Sequence, residues 1–239
     1  MQPIDRSIYP AIFKRKSTRS YRDTPIPEDM LSRLRSFITE AVPLFPSEQI
    51  AFEIQPHKGS EMKIAAYAKN EPAALMNLAF MLQQMDLFMQ SNGIGALWNA
   101  TVRAAKKQVR GLPYGICLVF GIAKGQPIRT SISEFERKTS GEISNKPDIP
   151  LVEAVRLAPS ARNRQPWFLY CEEGCVDFYC RKGGLIDNTL LKGLHWFDIG
   201  IAVCHAVLLL QQEGFEPTAV MRSDRADKDG YIYCVSLNY

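Results

Sequence analysis

The sequence predicts an α+β fold built from two half-folds in tandem, on three observations. The same order of elements, a helix, short strands, a long apolar helix and a closing strand, is legible twice along the 239 residues. Gly93 and Gly214, which end the two long helices, lie 121 residues apart. Cys117 and Cys234, placed in the two closing strands, lie 117 apart. A period of this length implies duplication of a whole half-fold and not a solenoid of short units. Side-chain identity between the halves is low, so order and spacing carry the expectation.

In the first half, Pro27, Glu28 and Asp29 suit a helix N-terminus, where proline removes a surplus N–H and carboxylates meet the positive end of the dipole. Met30, Leu31, Leu34, Phe37 and Ile38 then recur at helical spacing, predicting a helix to about Ala41. Ile50 to Gln55 alternates as a strand does. Pro72 to Gln90 predicts a long helix, apolar nearly all round and rich in methionine, hence buried. Asn92-Gly93-Ile94-Gly95 closes it and leads into a turn at Ala96-Leu97-Trp98. A basic amphipathic segment, Thr101 to Arg110, precedes a buried strand from Tyr114 to Gly121. Residues 128–150 read as a linker by composition. The second half, 151–239, gives a helix from Leu151 to Leu157, strands at Trp167–Cys171 and Val176–Cys180, a long apolar helix from His195 to Gln212, and a last strand from Tyr231 to Leu237. The division expected is therefore 1–127, a linker at 128–150, and 151–239.

An apolar fraction of 46% with 23% charged residues is ordinary for a globular chain able to bury a core. The net charge of +4 comes from Lys and Arg interspersed with Asp and Glu, which suits solubility and a small anionic ligand. No basic run with interleaved aromatics and no zinc-finger spacing points to nucleic acid. Met1 to Pro10 contains Asp5 and Arg6 and lacks the apolar core of a secretory signal. Phe197 to Leu210 is interrupted by Asp198 and His205, and is shorter than the roughly 20 apolar residues that cross a bilayer. The six cysteines contain no C-x-x-C pair. Together these predict a cytoplasmic protein with reduced, core-filling thiols and neither membrane nor nucleic-acid partners. His57, His195 and His205 are too scattered for a metal site, and none is expected.

Two stretches carry ligand chemistry. In Pro159-Ser160-Ala161-Arg162-Asn163-Arg164-Gln165-Pro166-Trp167, small residues allow close approach of a flat ligand, two amides offer donors and acceptors, and Pro166 stops a helix before an aromatic anchor. Arg15-Lys16-Ser17-Thr18-Arg19-Ser20-Tyr21 combines cations with hydroxyls near the N-terminus. Taken singly, the first also fits an ordinary helix end before a strand, and the second a solvated arm.

The stretch Arg15 to Tyr21, followed by Pro25-Ile26-Pro27, resembles the N-terminal signature of the nitroreductase family of flavin enzymes. Ala158 to Trp167 resembles that family's second signature. The resemblance implies a nitroreductase-like fold, in which FMN lies between two subunits of a homodimer with one signature on either side. Here the first half has Ala41 to Ser47 where the second signature belongs, and the second half has no Arg-x-Ser-x-Arg. The losses are complementary. The resemblance thus implies a monomer acting as a pseudo-dimer, its two tandem half-folds packed as two subunits, with a single FMN.

By the same resemblance, Arg15 and Ser17 match phosphate and ribityl contacts, Lys16 between them belongs to the same cofactor-binding wall, and Arg19 matches the cation at the pyrimidine edge, where negative charge develops on reduction. Arg129 matches a further phosphate ligand. Ala96, Leu97 and Trp98 fall where the family presents a backbone amide to the reacting nitrogen. Trp98 fits a core anchor as well. Pro159, Ser160, Ala161 and Asn163 match the opposite wall, which Gln165 and Trp167 support. No catalytic side chain is expected, because the flavin carries the chemistry. The implied reaction takes hydride from NAD(P)H and passes electrons by ping-pong to a nitroaromatic, quinone or similar flat small molecule. Two alternatives stay open: a flavin-binding or flavin-sequestering protein with little turnover, and another reaction on the same fold, such as reductive dehalogenation or flavin fragmentation.

Overall fold

Burial of the two long apolar helices organises the chain. A computed structural model describes residues 1–182, 193–228 and 230–239. A 3-10 helix, Arg6–Phe13, is followed by α1 (Glu28–Glu40), the hairpin β1 (Ile50–Pro56) and β2 (Met62–Ala68), and then α2 (Pro72–Ser91). Next come β3 (Gly95–Asn99), the two-residue β4 (Gln108–Val109) and β5 (Leu112–Gly121). Helices α3 (Ser140–Ile143) and α4 (Pro150–Arg156) lead to β6 (Trp167–Glu172), β7 (Cys175–Arg181), α5 (Leu194–Gln212), β8 (Thr218–Val220) and β9 (Tyr231–Asn238).

The strands form two antiparallel sheets, ordered β1-β2-β5-β3 and β6-β7-β9-β8, with β4 pairing to β5 alone. Leaving β4 aside, the two orders are the same: first, second, last, third, with the long helix between second and third strands. Both sheets break register between the second and last strand, at Ala66/Tyr67 and at Phe178/Tyr179. Both long helices end in the same pair of hydrogen bonds. Ile94 N–H donates to Met89 O at 2.9 Å and Gly93 N–H to Gln90 O at 3.2 Å; Phe215 N–H donates to Leu210 O at 2.9 Å and Gly214 N–H to Gln211 O at 3.2 Å. Gly93 and Gly214 have φ of 74° and 91°, the left-handed region that glycine enters without a Cβ penalty.

The closing strands correct one expected equivalence. The residue skipped by the break in register is Gly115 in β5 and Cys234 in β9. Cys234 therefore corresponds to Gly115, while Cys117 sits opposite Ala65 two residues further along. All six cysteines are buried free thiols.

Other differences have local causes. β2 is buried along almost its whole length, so Met62–Ala68 lacks the alternation that would mark it, and three of its residues are alanine. Ala96-Leu97-Trp98 is strand, not turn, because the chain straightens directly after the glycine cap at Gly93. The segment Thr101 to Arg110 is loop with a two-residue strand: its carbonyl at Arg103 accepts from Lys63 Nζ at 2.7 Å, and its amide at Ala105 donates to Gln55 Oε1 at 3.1 Å. Residues 128–150 are packed, with a 3-10 turn at Ile132–Glu134, α3, and Phe135 and Ile143 buried in the core.

The halves share one continuous core. Its centre is the crossing of α2 and α5 at Gly200, where a Cβ would stand 2.2 Å from Met76 O and 2.9 Å from Ala79 Cβ. Ala79 and Gly200 are again 121 residues apart, so the helices meet at related positions. Among the described residues, α5 is the one helix long and apolar enough to cross a membrane, and it is mostly buried inside the fold.

Replacing Gly200 by alanine should cost at least about 3 kcal/mol, since the added methyl overlaps backbone that cannot move without parting the helices. Gly125→Ala, where the space is open, should stay within about 0.5 kcal/mol of wild type. Denaturant titration of both variants checks the contrast.

Candidate functional site

The basic stretch is laid against β3 by backbone pairing. Thr18 N–H donates to Ala96 O at 2.9 Å, and Ser17 and Ala96 form a parallel bridge. A Cβ at Gly95 would stand 2.6 Å from Thr18 Oγ1, so this approach requires glycine there. On its other side the stretch pairs with the chain after β5, through bridges from Arg15 to Ile128 and Tyr21 to Ala123. Arg15 is thereby buried, 1% exposed, and its Nε donates to Asp86 Oδ2 of α2 at 2.9 Å. A buried arginine without such a partner would be costly, and the pair also fixes which edge of the guanidinium remains available.

The second stretch forms a turn after α4. Arg162, Asn163 and Gln165 have φ of 52°, 57° and 48°, a conformation that costs about 1–2 kcal/mol for a residue with a Cβ. Several hydrogen bonds hold it. Asp198 Oδ1 accepts Ala161 N–H at 2.8 Å, Ser160 Oγ accepts Gln165 N–H at 2.8 Å, and Gln165 Oε1 accepts Lys138 N–H at 2.8 Å. Asn163 Oδ1 accepts from Arg137 Nη1 at 2.7 Å, and Asn163 Nδ2 donates to Glu136 O at 2.8 Å.

The two stretches, from opposite halves, face each other across one cavity of about 550 Å³. Of the expected residues, Arg15, Lys16, Ser17, Arg19, Leu97, Trp98, Arg129, Pro159, Ser160, Ala161 and Asn163 line it. Ala96 and Gln165 do not. Ala96, within β3, is fully buried, and Gln165 is turned into the wall, where its amide bonds Lys138 and Asn163.

Trp98 lines the cavity and is also anchored. Its Nε1–H donates to Gln83 Oε1 at 3.1 Å, and Gln83 Nε2 lies 3.1 Å from His205 Nε2, whose Nδ1 lies 2.9 Å from Ala154 O. Gln83 offers an N–H and Ala154 a carbonyl, so His205 must be neutral with its proton on Nδ1. Burial, the largest effect, pushes His205 down to about 3, in agreement with a neutral ring.

Sequence reasoning missed Arg137, Glu134, Glu136, Arg162, Phe197, Asp198 and Ile201, all of which line the cavity. Phe197, Asp198 and Ile201 share one face of α5, and Asp198 had a readable signal: a carboxylate inside an apolar helix needs a buried partner. Arg137 had none, because Glu136-Arg137-Lys138 looks like any solvated loop. Burial first, and then Arg15, Arg129 and Arg156, push Arg137 down to about 10; burial and Arg15 lower Arg129 as well. The cavity is thus cationic at one end and apolar along Leu97, Ile116, Phe197 and Ile201. Among the described residues, no cluster of His, Cys, Asp and Glu could hold a metal ion.

The family described as "Putative TM nitroreductase" matches residues 7–209. No curated protein is similar at a significant level. The crystal structure of a putative nitroreductase from Thermotoga maritima MSB8 is similar with a TM-score of 0.71 at 23% identity, covering 97% of this chain and 93% of that one. That is a likeness of fold. A nitroreductase with bound FMN from Desulfitobacterium hafniense DCB-2 is similar with a TM-score of 0.44 at 12% identity, over 58% of this chain and 100% of that one. A nitroreductase family protein from Clostridium novyi NT gives 0.41 at 20%, over 49% and 86%.

Asp198 makes the wall sensitive to pH. Burial, the leading cause, raises its carboxyl to about 7, against the Ala161 N–H and Arg164, which lower it. Folded Asp198 thus keeps a proton that the unfolded chain has lost above about pH 4, so its contribution to stability falls as pH rises from about 4 to 7 and is flat beyond. Asn77 holds the corresponding turn of the first half without a charge, accepting from Leu44 N–H at 2.7 Å and Phe45 N–H at 3.1 Å. Asp198→Asn should therefore fold. Its stability relative to wild type should grow by about 1.4 kcal/mol per pH unit across that window. Urea titrations of both proteins from pH 5 to 8 check the slope.

Proposed function

The chain belongs to the nitroreductase family, and from that premise we propose that it is an FMN-dependent oxidoreductase passing electrons from NAD(P)H to a nitroaromatic, quinone or similar flat acceptor. One observation carries the reading: the two signature stretches, each half a site by itself, line the same cavity from opposite halves. The proposal includes the duplication. Two half-folds with the same strand order, the same helix caps and a crossing at related positions behave as the two subunits of a homodimer joined in one chain, with one complete site.

The residues present fit FMN. A phosphate dianion wants guanidinium forks and hydroxyls, and Arg15, Ser17, Arg129 and Arg137 offer them at one end of the cavity. Arg137 Nε is buried without a partner among the described residues, a donor that awaits an acceptor. The apolar surface of Leu97, Ile116, Phe197 and Ile201 suits the flat faces of an aromatic ring system. When bound, FMN supplies hydride and electron transfer between the two substrates. The chain's own residues bind and orient. Asp86 fixes Arg15, the network from Gln83 to Ala154 fixes Trp98, and Asp198 fixes the amide of Ala161. Arg19 and Lys16 add positive charge to the cavity, which favours the negative charge that accumulates on reduction. Both substrates would use the same open face in turn.

The purified protein, after incubation with FMN, should show the visible spectrum of a bound flavin, and NADH or NADPH should bleach it in stopped-flow mixing. A colourless protein that binds no added FMN overturns the proposal, whereas a yellow protein that neither reductant bleaches leaves a flavin-binding protein without turnover. Arg129→Ala and Asn163→Ala should each weaken FMN about tenfold or more, as expected for loss of a hydrogen bond to a charged or tightly placed group. Fluorescence titration gives the affinities.

A further inference from the structure

Residues 128–137 form a strap between the two walls, and each end is tied to a different one. At one end, Arg129 N–H donates to Lys14 O at 2.6 Å and Arg129 Nη1 donates to Arg15 O. At the other, Arg137 Nη1 donates to Asn163 Oδ1 at 2.7 Å and Arg137 Nη2 to Leu157 O at 3.2 Å. Between them the buried ring of Phe135 has Arg129 Cζ 4.1 Å and Arg137 Cζ 5.4 Å from its centroid. We propose that Arg137 couples anion binding to the shape of the opposite wall, as the third guanidinium of a cradle with Arg15 and Arg129 and as the clamp on Asn163. The inference deepens the reading of the cavity as an FMN site, and rests on it only for the identity of the physiological anion.

Three features support a double role. Arg15, Arg129 and Arg137 line one cavity, and only Arg15 has a carboxylate bonded to its guanidinium among the described residues. Glu134 lies nearby, but its Oε1 is taken by Thr130 N–H, Thr130 Oγ1 and Ser131 N–H. The lowered proton affinity of Arg129 and Arg137 reflects burial first and then repulsion, from Arg15 on both and from Arg129 and Arg156 on Arg137, which a bound dianion offsets. Finally, Arg137 directs both terminal nitrogens to the second wall, Nη1 donating to Glu136 O as well, and keeps Nε buried and unpartnered among the described residues. An anion that satisfies Nε and relieves the repulsion also secures the contacts on Asn163 and Leu157. Linkage makes the effect reciprocal: what orders the turn tightens the anion, and the anion orders the turn.

The test uses the full chain without flavin and inorganic phosphate as the probe, at an ionic strength matched with potassium chloride. Phosphate binding is read by thermal shift, and exchange of the Ala161, Asn163 and Gln165 amides by hydrogen–deuterium exchange. In the wild type, phosphate should slow exchange of these amides at least threefold. In Arg137→Met, phosphate should still bind through Arg15 and Arg129, with affinity reduced about tenfold, but should no longer slow exchange at the turn. Arg137→Lys keeps the charge without the fork, and should retain phosphate while losing most of the protection; it serves if the methionine variant does not fold. Equal protection in wild type and variants overturns the inference, and so does the absence of phosphate binding or of protection in the wild type. Should FMN fail to bind while phosphate protects the turn through Arg137, the flavin reading falls and the coupling stands.

Discussion

The close crossing of α2 and α5 sets every other relation in this molecule. With no side chain at Gly200, the helix backbones approach until a Cβ would meet Met76 O. Dispersion and the exclusion of water from two helices that are apolar nearly all round reward that approach. Each helix belongs to one half and supports its own sheet. Fixing the crossing therefore fixes where the edge of one half stands relative to the turn of the other, and the cavity is the space that remains. Closeness at the centre also gives the site rigid walls, since a shift of either helix would disturb core on both sides.

Buried polar groups sit where those helices face the site, and each has a particular solution to the cost of burial. Asp86 and Arg15 neutralise one another at 2.9 Å. His205 stays neutral between a donor and an acceptor. Asp198 accepts a backbone N–H and is pushed toward its protonated form. These groups hold the walls: Asp86 acts on the basic stretch, His205 on Trp98 through Gln83, and Asp198 on Ala161. Polar burial that would weaken an ordinary core here fixes the position of the cavity's walls.

The strap from Arg129 to Arg137 joins the two walls of the site. Two walls from two halves would be held together only through the core beneath them. The strap ties their upper ends, through backbone at Arg129 and through the side chain of Arg137, with Phe135 buried between. The segment from Arg129 to Arg137 thus forms a third side of the cavity, which Arg129, Glu134, Glu136 and Arg137 line.

Much was legible in the sequence by itself. The two long helices, the strands from Ile50, Tyr114, Trp167, Val176 and Tyr231, and both signature stretches are local features, written in periodicity, glycine caps and short motifs. Tertiary structure decided the rest. It showed that Arg15 and Asn163 face one cavity, that Gln165 turns away from it, that Ala96 is strand, and that Arg137 and Asp198 belong to the site. The physical reason is the range of the interactions. A helix cap or an alternating strand is satisfied within a few residues of chain, whereas Arg137 is linked to Asn163 across 26 residues and Arg15 to Asp86 across 71. Pairings of that range exist only once the chain has folded.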